Sequence, residues 1–308
     1  MNIDRRAPES MESGSPVAAF ILLMSLLTGC VSIPTPMERR AHADQLAQQN
    51  QHNQWGQTPL IVDADKINGV AQPNQWSLTP LIFRPRQFKS DATLSIYIEG
   101  DGFAWVTSST PSVDPTPIDP LALRLALAQP TGNAAYIGRP CQYVDAEHTG
   151  CPQRYWTEAR FAPEVVAAVE AAVDVLKRQA GAQQLILVGF SGGAAVAALI
   201  AERRSDVVRL ITFAGNLDHR AWTSFHRIQP LSGSLNAADN ASRLADLPQT
   251  HFIGGRDKII PPELAYQWPL AFRGANNANL RIIPDYTHNC CWVKSMGSDS
   301  IGSVVPNH

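Results

Sequence analysis

Three groups of residues in the 308-residue chain are of types and spacings that can do chemistry. Gly189-Phe190-Ser191-Gly192-Gly193 sets a serine among glycines, after the apolar run Gln184–Val188 and before the small-residue stretch Ala194–Ala201. That order predicts a strand, a turn so tight that only glycines tolerate the close approach, and a helix whose first N–H groups point at the serine. A serine at its ordinary pKa is a poor nucleophile, so a base must stand beside it and an acid must orient the base. Asp257 closes Phe252-Ile253-Gly254-Gly255-Arg256-Asp257, just past an apolar strand, and His288 lies in the loop after Leu280-Arg281-Ile282-Ile283. All three side chains therefore fall at ends of strands, on one edge of a parallel sheet. Asp285 shares the loop of His288 and is poorly placed to hold the ring from behind. His226 and His251 read as structural, and His148 as a surface residue.

The elements that must position these groups alternate. Leu60–Val62, Thr79–Phe83, Leu94–Ile98 and Ala134–Ile137 read as short strands, the third stopping at Gly100-Asp101-Gly102. A strong helix follows, with Pro163 in its first turn, Val165, Val166, Val169, Val173 and Leu176 at helical spacing, and Gly181 as its stop. Val207–Phe213, His251–Ile253 and Leu280–Ile283 continue the strands, with Ser242–Leu247 and Pro262–Ala271 between them. Such alternation predicts an α/β fold with a mostly parallel central sheet and helices on both faces.

The order Ser191, Asp257, His288, each just past an apolar strand, resembles the α/β-hydrolase superfamily over roughly residues 58–295. The resemblance implies an α/β-hydrolase fold with a minimal cap, since Gly215–Leu247 leaves room only for a short flap. It implies Ser191 as nucleophile, His288 as general base and acid, and Asp257 as the orienting carboxylate. Asp218, beside His219 after the Val207–Phe213 strand, stands where some members place the acid. The oxyanion donors it implies are the N–H of Gly192 and one from Glu99-Gly100-Asp101-Gly102, assigned to Asp101 with Gly102 as the alternative. Many relatives carry His-Gly where this chain has Glu99-Gly100. The Asp101 carboxylate would oppose a developing anion unless it turns away or pairs, for example with Arg139. Trp222, Phe225, His226, Phe103 and Trp105 are candidates for the entrance. The expected activity is cleavage of carboxylic esters, with an exopeptidase or amidase as the nearest alternative and a non-catalytic envelope scaffold as the other. No cofactor and no metal is implied, because nucleophile, base and donors all come from the chain.

Composition and the chain start bear on location. Hydrophobic residues make up 44%, charged residues 17%, and the formal net charge is −2. That balance is unlike a nucleic-acid binder, which carries a basic stripe, and unlike a disordered chain. Residues 1–29 read as a signal peptide: Arg5 and Arg6 precede the apolar run Val17–Leu27, which is too short to span a bilayer. Leu27-Thr28-Gly29-Cys30 resembles the bacterial lipoprotein box, which implies cleavage before Cys30, a lipid on its thiol and attachment to a membrane. Val31 favours the outer membrane. Residues 30–57 read as a polar tether, with room for one helix over Met37–Gln49, and 58–308 as the hydrolase domain. In an oxidising compartment Cys141, Cys151, Cys290 and Cys291 are disulfide candidates, with three connectivities open. Cys141 and Cys151 bracket one loop; Cys290 and Cys291 either bridge each other or take different partners. With His288 they lack the paired C-x-x-C spacing of a zinc site.

Overall fold

The computed structural model of the protein describes residues 33–50, 55–58, 78–274 and 277–296. The signal segment, Cys30 and the strand expected at Leu60–Val62 lie outside the described residues. Among the described residues eight strands form one sheet: β1 Trp55–Thr58, β2 Ile82–Pro85, β3 Thr93–Ile98, β4 Asn133–Ile137, β5 Gln184–Phe190, β6 Val207–Phe213, β7 Gln249–Gly254 and β8 Ala278–Ile283. Their spatial order is β1-β2-β4-β3-β5-β6-β7-β8. β2 runs antiparallel to both β1 and β4, and every other neighbouring pair is parallel.

Helices cover both faces, as the strand–helix alternation predicts. In chain order the longer ones are α1 Pro36–Gln49, α2 Leu121–Leu127, α3 Pro163–Ala180, α4 Gly192–Ala201 and α5 His219–His226. Side chains alternate across the pleat. Leu185 and Leu187 of β5 pack with Ile96, Ile98 and the apolar stripes of α3 and α4. Ile186 and Val188 face the other way, toward Tyr97, Phe213, Phe252, α2 and the buried Trp292. α3 ends as its sequence demands, with Gly181 at φ 67° in the left-handed region. The segment Pro262–Ala271 is two single helical turns, Pro262–Ala265 and Leu270–Arg273.

The strand order decides where a site can form. β3 pairs with β4 on one side and β5 on the other, so the chain leaves β3 and β5 in opposite directions. Ligands of open parallel sheets bind in the crevice beyond the strand ends at such a switch point. Here the loop after β3, Glu99–Gly102, meets the turn after β5, which carries Ser191.

The polar tether read for residues 30–57 is corrected where the structure describes it. α1 opens with a capping box in which the Thr35 side chain accepts from the Glu38 N–H and the Glu38 carboxylate accepts from the Thr35 N–H. Ala43 and Ala47 are fully buried, in one apolar cluster with Trp55 and with Leu121, Ala122 and Leu125 of α2. β1 is the edge strand of the sheet. The glutamine- and asparagine-rich composition concealed this, because α1 docks through two alanines and an arginine and not through an apolar stripe. Residues 36–49 thus belong to the domain. Replacing Ala43 with Glu should lower stability by about 2–4 kcal/mol, read as a fall in urea midpoint, because it buries an unpaired charge. A midpoint unchanged within error would mean that α1 is not docked.

Candidate active site

Ser191 sits at the apex of the turn between β5 and α4, at φ 50° and ψ −118°. A residue with a Cβ pays about 1–3 kcal/mol there. The turn is held by its own backbone: Ser191 N–H donates to the Phe213 carbonyl at 2.9 Å, and the Ser191 carbonyl accepts from Ala194 N–H and Asn216 N–H, each at 3.1 Å. Glycines permit the packing. A Cβ on Gly189 would lie 2.4 Å from the Ala194 Cα, and one on Gly193 would lie 2.3 Å from the Ile98 carbonyl oxygen.

The structure brings together the three residues that the strand ends predicted. Ser191 Oγ lies 3.0 Å from His288 Nε2, and His288 Nδ1 lies 2.9 Å from Asp257 Oδ2. The other Asp257 oxygen accepts the N–H groups of Ile259 at 2.7 Å and Ile260 at 2.9 Å. Both carboxylate oxygens are therefore committed, and the carboxylate side chain is fully buried while the imidazole is 15% exposed. The His288 loop is fixed from below, where Trp292 Nε1 donates to the His288 carbonyl at 2.9 Å. The Phe190 ring lies 5.2 Å from the imidazole.

The rival residues do other work. Asp218 caps α5 by accepting from Arg220 N–H and Ala221 N–H. Asp285 pairs with Arg256 at the surface. His251 is buried against Thr212 Oγ1 at 2.8 Å, and burial pushes its pKa down to about 3, which keeps it neutral. His219 is buried as well, and burial again lowers its pKa. Cys141 and Cys151 are joined across the 10-residue separation, and Cys290 is joined to Cys291, so the histidine loop carries a vicinal bridge.

Across the crevice, the loop after β3 abuts the serine. A Cβ on Gly100 would lie 3.3 Å from the Ser191 Cβ, and one on Gly192 would lie 2.1 Å from Asp101 Oδ1. Gly102, at φ 65°, turns away instead, toward the Pro115 carbonyl and Gln142. That placement favours Asp101 over Gly102 as the residue facing the serine. Neither Gly192 N–H nor Asp101 N–H donates to a backbone carbonyl among the described residues. The Asp101 carboxylate is paired with Arg139, at 3.4 Å, as its neighbourhood required. A second partner, Arg160 at 2.7 Å, has no sequence signal: it lies 59 residues away in a loop without periodicity. Arg139 also donates to the Arg160 carbonyl, and Arg160 Nε to the Thr157 carbonyl at 2.7 Å. Burial lowers the Arg139 pKa to about 10, with Asp101 opposing the shift, so it remains a cation at neutral pH.

One wall of the crevice is α5. Trp222 Nε1 donates to the Ile259 carbonyl at 2.9 Å, and the Trp222 ring lies 5.9 Å from the Arg160 guanidinium. His226 Nε2 reaches the same Ile259 carbonyl at 2.8 Å. The helix thus ties the acid loop to the arginine beside Asp101. Phe225 and Ile259 on this wall are 49% and 47% exposed.

Beneath the crevice, Glu99 is buried and its Oε1 accepts from Gly100 N–H at 2.9 Å. Burial pushes its carboxyl from 4.5 up to about 7, opposed by the Gly100 and Ala122 N–H groups. Because the folded value lies above the unfolded one, the folded state holds the proton more tightly. Its contribution is fully present below the unfolded value of 4.5 and is lost as pH rises through about 7. Glu99→Gln, which keeps an acceptor and removes the charge, should match the native protein at pH 4.5 and exceed it at pH 8.5 by about 3 kcal/mol in urea unfolding. A difference independent of pH would show that this carboxyl does not titrate in the folded protein.

No protein-family model matches the sequence, and no curated protein matches it. Solved structures are similar to it. Est1E from Butyrivibrio proteoclasticus shares 13% identity over 73% of this chain and 93% of its own, with a TM-score of 0.50. An esterase of Pyrococcus furiosus shares 14% identity over 73% of this chain and 84% of its own, with a TM-score of 0.48.

Proposed function

From the premise that the chain has the α/β-hydrolase fold, we propose that it is a serine hydrolase cleaving carboxylic esters at the cell envelope. The observation that carries this reading is the unbroken line of hydrogen bonds from Ser191 through His288 to Asp257. In the proposed reaction Ser191 Oγ attacks the ester carbonyl while His288 Nε2 takes its proton. Asp257 holds the ring through Nδ1–H and stabilises the imidazolium. The oxyanion accepts from the N–H groups of Gly192 and Asp101, at the N-terminal end of α4. Imidazolium then gives its proton to the leaving alcohol, and water, activated by the same imidazole, releases the acid. The half-exposed Ile259, whose N–H donates to Asp257, offers apolar surface beside the acid, which suits an ester with an apolar group.

Ser191→Ala and His288→Ala should each lower kcat/KM for p-nitrophenyl esters by about 10⁴-fold or more without loss of fold by circular dichroism. A fluorophosphonate should label the native protein at Ser191. Hydrolysis of aminoacyl p-nitroanilides in preference to esters would replace the ester reading with a peptidase, and a folded protein that takes no label would leave a scaffold.

The location belongs to the same proposal. Leu27-Thr28-Gly29 before Cys30 supports export, removal of residues 1–29 and a lipid on the Cys30 thiol, with the outer membrane as the site. The full-length protein should partition into the detergent phase of Triton X-114, and Cys30→Ser should move it to the aqueous phase. Partition of both forms into water would remove the anchor from the reading.

A further inference from the structure

We infer that α1 is a working part of the active site, because the buried guanidinium of Arg39 sets the position of the oxyanion loop. The inference rests on the hydrolase reading above. It concerns a segment that precedes the first strand of the sheet and touches none of the triad.

Arg39 is 3% exposed, in the first turns of α1. Its Nη1 donates to the carbonyls of Asp114 at 3.3 Å and Thr116 at 2.5 Å, and its Nη2 lies 3.7 Å from Asp114 Oδ1. Its guanidinium also stacks over the Phe103 ring, 5.2 Å from the centroid. These contacts grip both ends of one short path. Segment 112–116 is rigid in itself: Asp114 Oδ1 accepts from Thr116 N–H at 2.8 Å and Asp114 Oδ2 from Ala146 N–H at 3.1 Å. Between the two gripped carbonyls stands that of Pro115, which accepts from Phe103 N–H at 3.1 Å. Gly102 packs against the same oxygen so closely that a Cβ there would lie 2.0 Å from it. The residue before Gly102 is Asp101, whose N–H is the proposed second donor.

A second strut holds the other end of the loop, since Gln142 Nε2 donates to the Gly100 carbonyl at 3.0 Å. That strut also rests near α1, where Arg40 Nη1 donates to the Tyr143 carbonyl at 2.9 Å. Removing Arg39 frees the Thr116 carbonyl, leaves the Asp114 carbonyl to the Ser112 hydroxyl alone, and leaves the Asp114 carboxylate buried without its cation. Donors of an oxyanion hole act only when placed within a few tenths of an ångström, so a shifted loop costs rate more than substrate binding. Arg39 is therefore a positioning residue.

The test uses the full chain and counts active sites. Native protein, Arg39→Met, Arg39→Lys and Ala47→Gly are titrated by the burst of p-nitrophenol from a p-nitrophenyl ester, so that kcat is expressed per titrated site. Arg39→Met should lower kcat per site by about 10- to 100-fold with KM within about 2-fold, and should slow fluorophosphonate labelling in step. Arg39→Lys should fall between, since an ammonium keeps the charge and loses the fork. Ala47→Gly, which loosens the buried face of α1 away from the loop, should keep kcat per site within about 2-fold. If Arg39→Met lowers only the melting temperature and the titratable fraction, with native kcat per remaining site, its role is structural and the proposal fails. An equal loss in Ala47→Gly would overturn it too, by showing general loosening of the helix. Failure of the native protein to titrate or take label would instead defeat the hydrolase reading itself.

Discussion

At Ser191 the backbone is bent to φ 50°, a conformation that a side chain resists, and much of the fold can be read as the means of keeping it there. The three hydrogen bonds to its own N–H and carbonyl come from β6 and the residues after it and from the first turn of α4. The bend is therefore held only while β5, β6 and α4 keep their register. The register in turn needs glycine at 189 and 193, where the α4 backbone and the β3 carbonyls approach closer than any Cβ allows. Because β3 and β5 are neighbours, the same close packing delivers the Glu99–Gly102 loop to the serine. Nucleophile and anion-facing loop are thus consequences of one strand pairing.

Electrostatics around that pairing follow a consistent pattern. A carboxylate against Gly192 would repel negative charge at the N-terminal end of α4, and Asp101 is such a carboxylate. Two buried guanidiniums neutralise it and exceed it by one, counting Arg139 and Arg160 against Asp101. Burying three charges is costly, and each carries additional hydrogen bonds that offset part of the cost. Glu99, the nearest further carboxyl in sequence, is pushed by burial toward its neutral form up to about pH 7, so it does not cancel the excess there. On the proposed reading, a fixed positive excess at this place favours a tetrahedral anion over the uncharged ester.

Legibility in the sequence follows the range of the forces. Ser191, Asp257 and His288 each stand just past an apolar strand, and the strand ends of a parallel sheet share one edge, so local patterning sufficed to group them. Arg139 was reachable by the same logic, as a cation after β4. Arg160 was not, because nothing in a loop of Tyr155, Trp156, Thr157 and Glu158 marks one arginine as buried. The cysteine pairs show the same limit: type and compartment suggest bridges, while the pairing of Cys290 with Cys291 depends on a turn that spacing cannot specify. The docking of α1, and not its helical form, is the instructive miss. Thr35-Pro36-Met37-Glu38 is a legible capping box, but the residues after it are polar and alternate no apolar face.

That polarity has a physical rationale in what α1 must hold. Segment 100–116 turns repeatedly, carries eight prolines, serines and threonines between 107 and 116, and presents the Asp114 and Thr116 carbonyls to α1. An apolar stripe laid on such a surface would bury unsatisfied acceptors, at a cost of about 1–3 kcal/mol each. A guanidinium meets them with donors of fixed direction, and its planar face still covers Phe103. Hydrophobic contact is non-directional and tolerates sliding, whereas a fork bonded to the Asp114 and Thr116 carbonyls admits one register. On the proposed reading, a loop whose Asp101 N–H must meet a single oxygen needs that kind of hold, and a charged residue inside an otherwise unremarkable polar helix provides it.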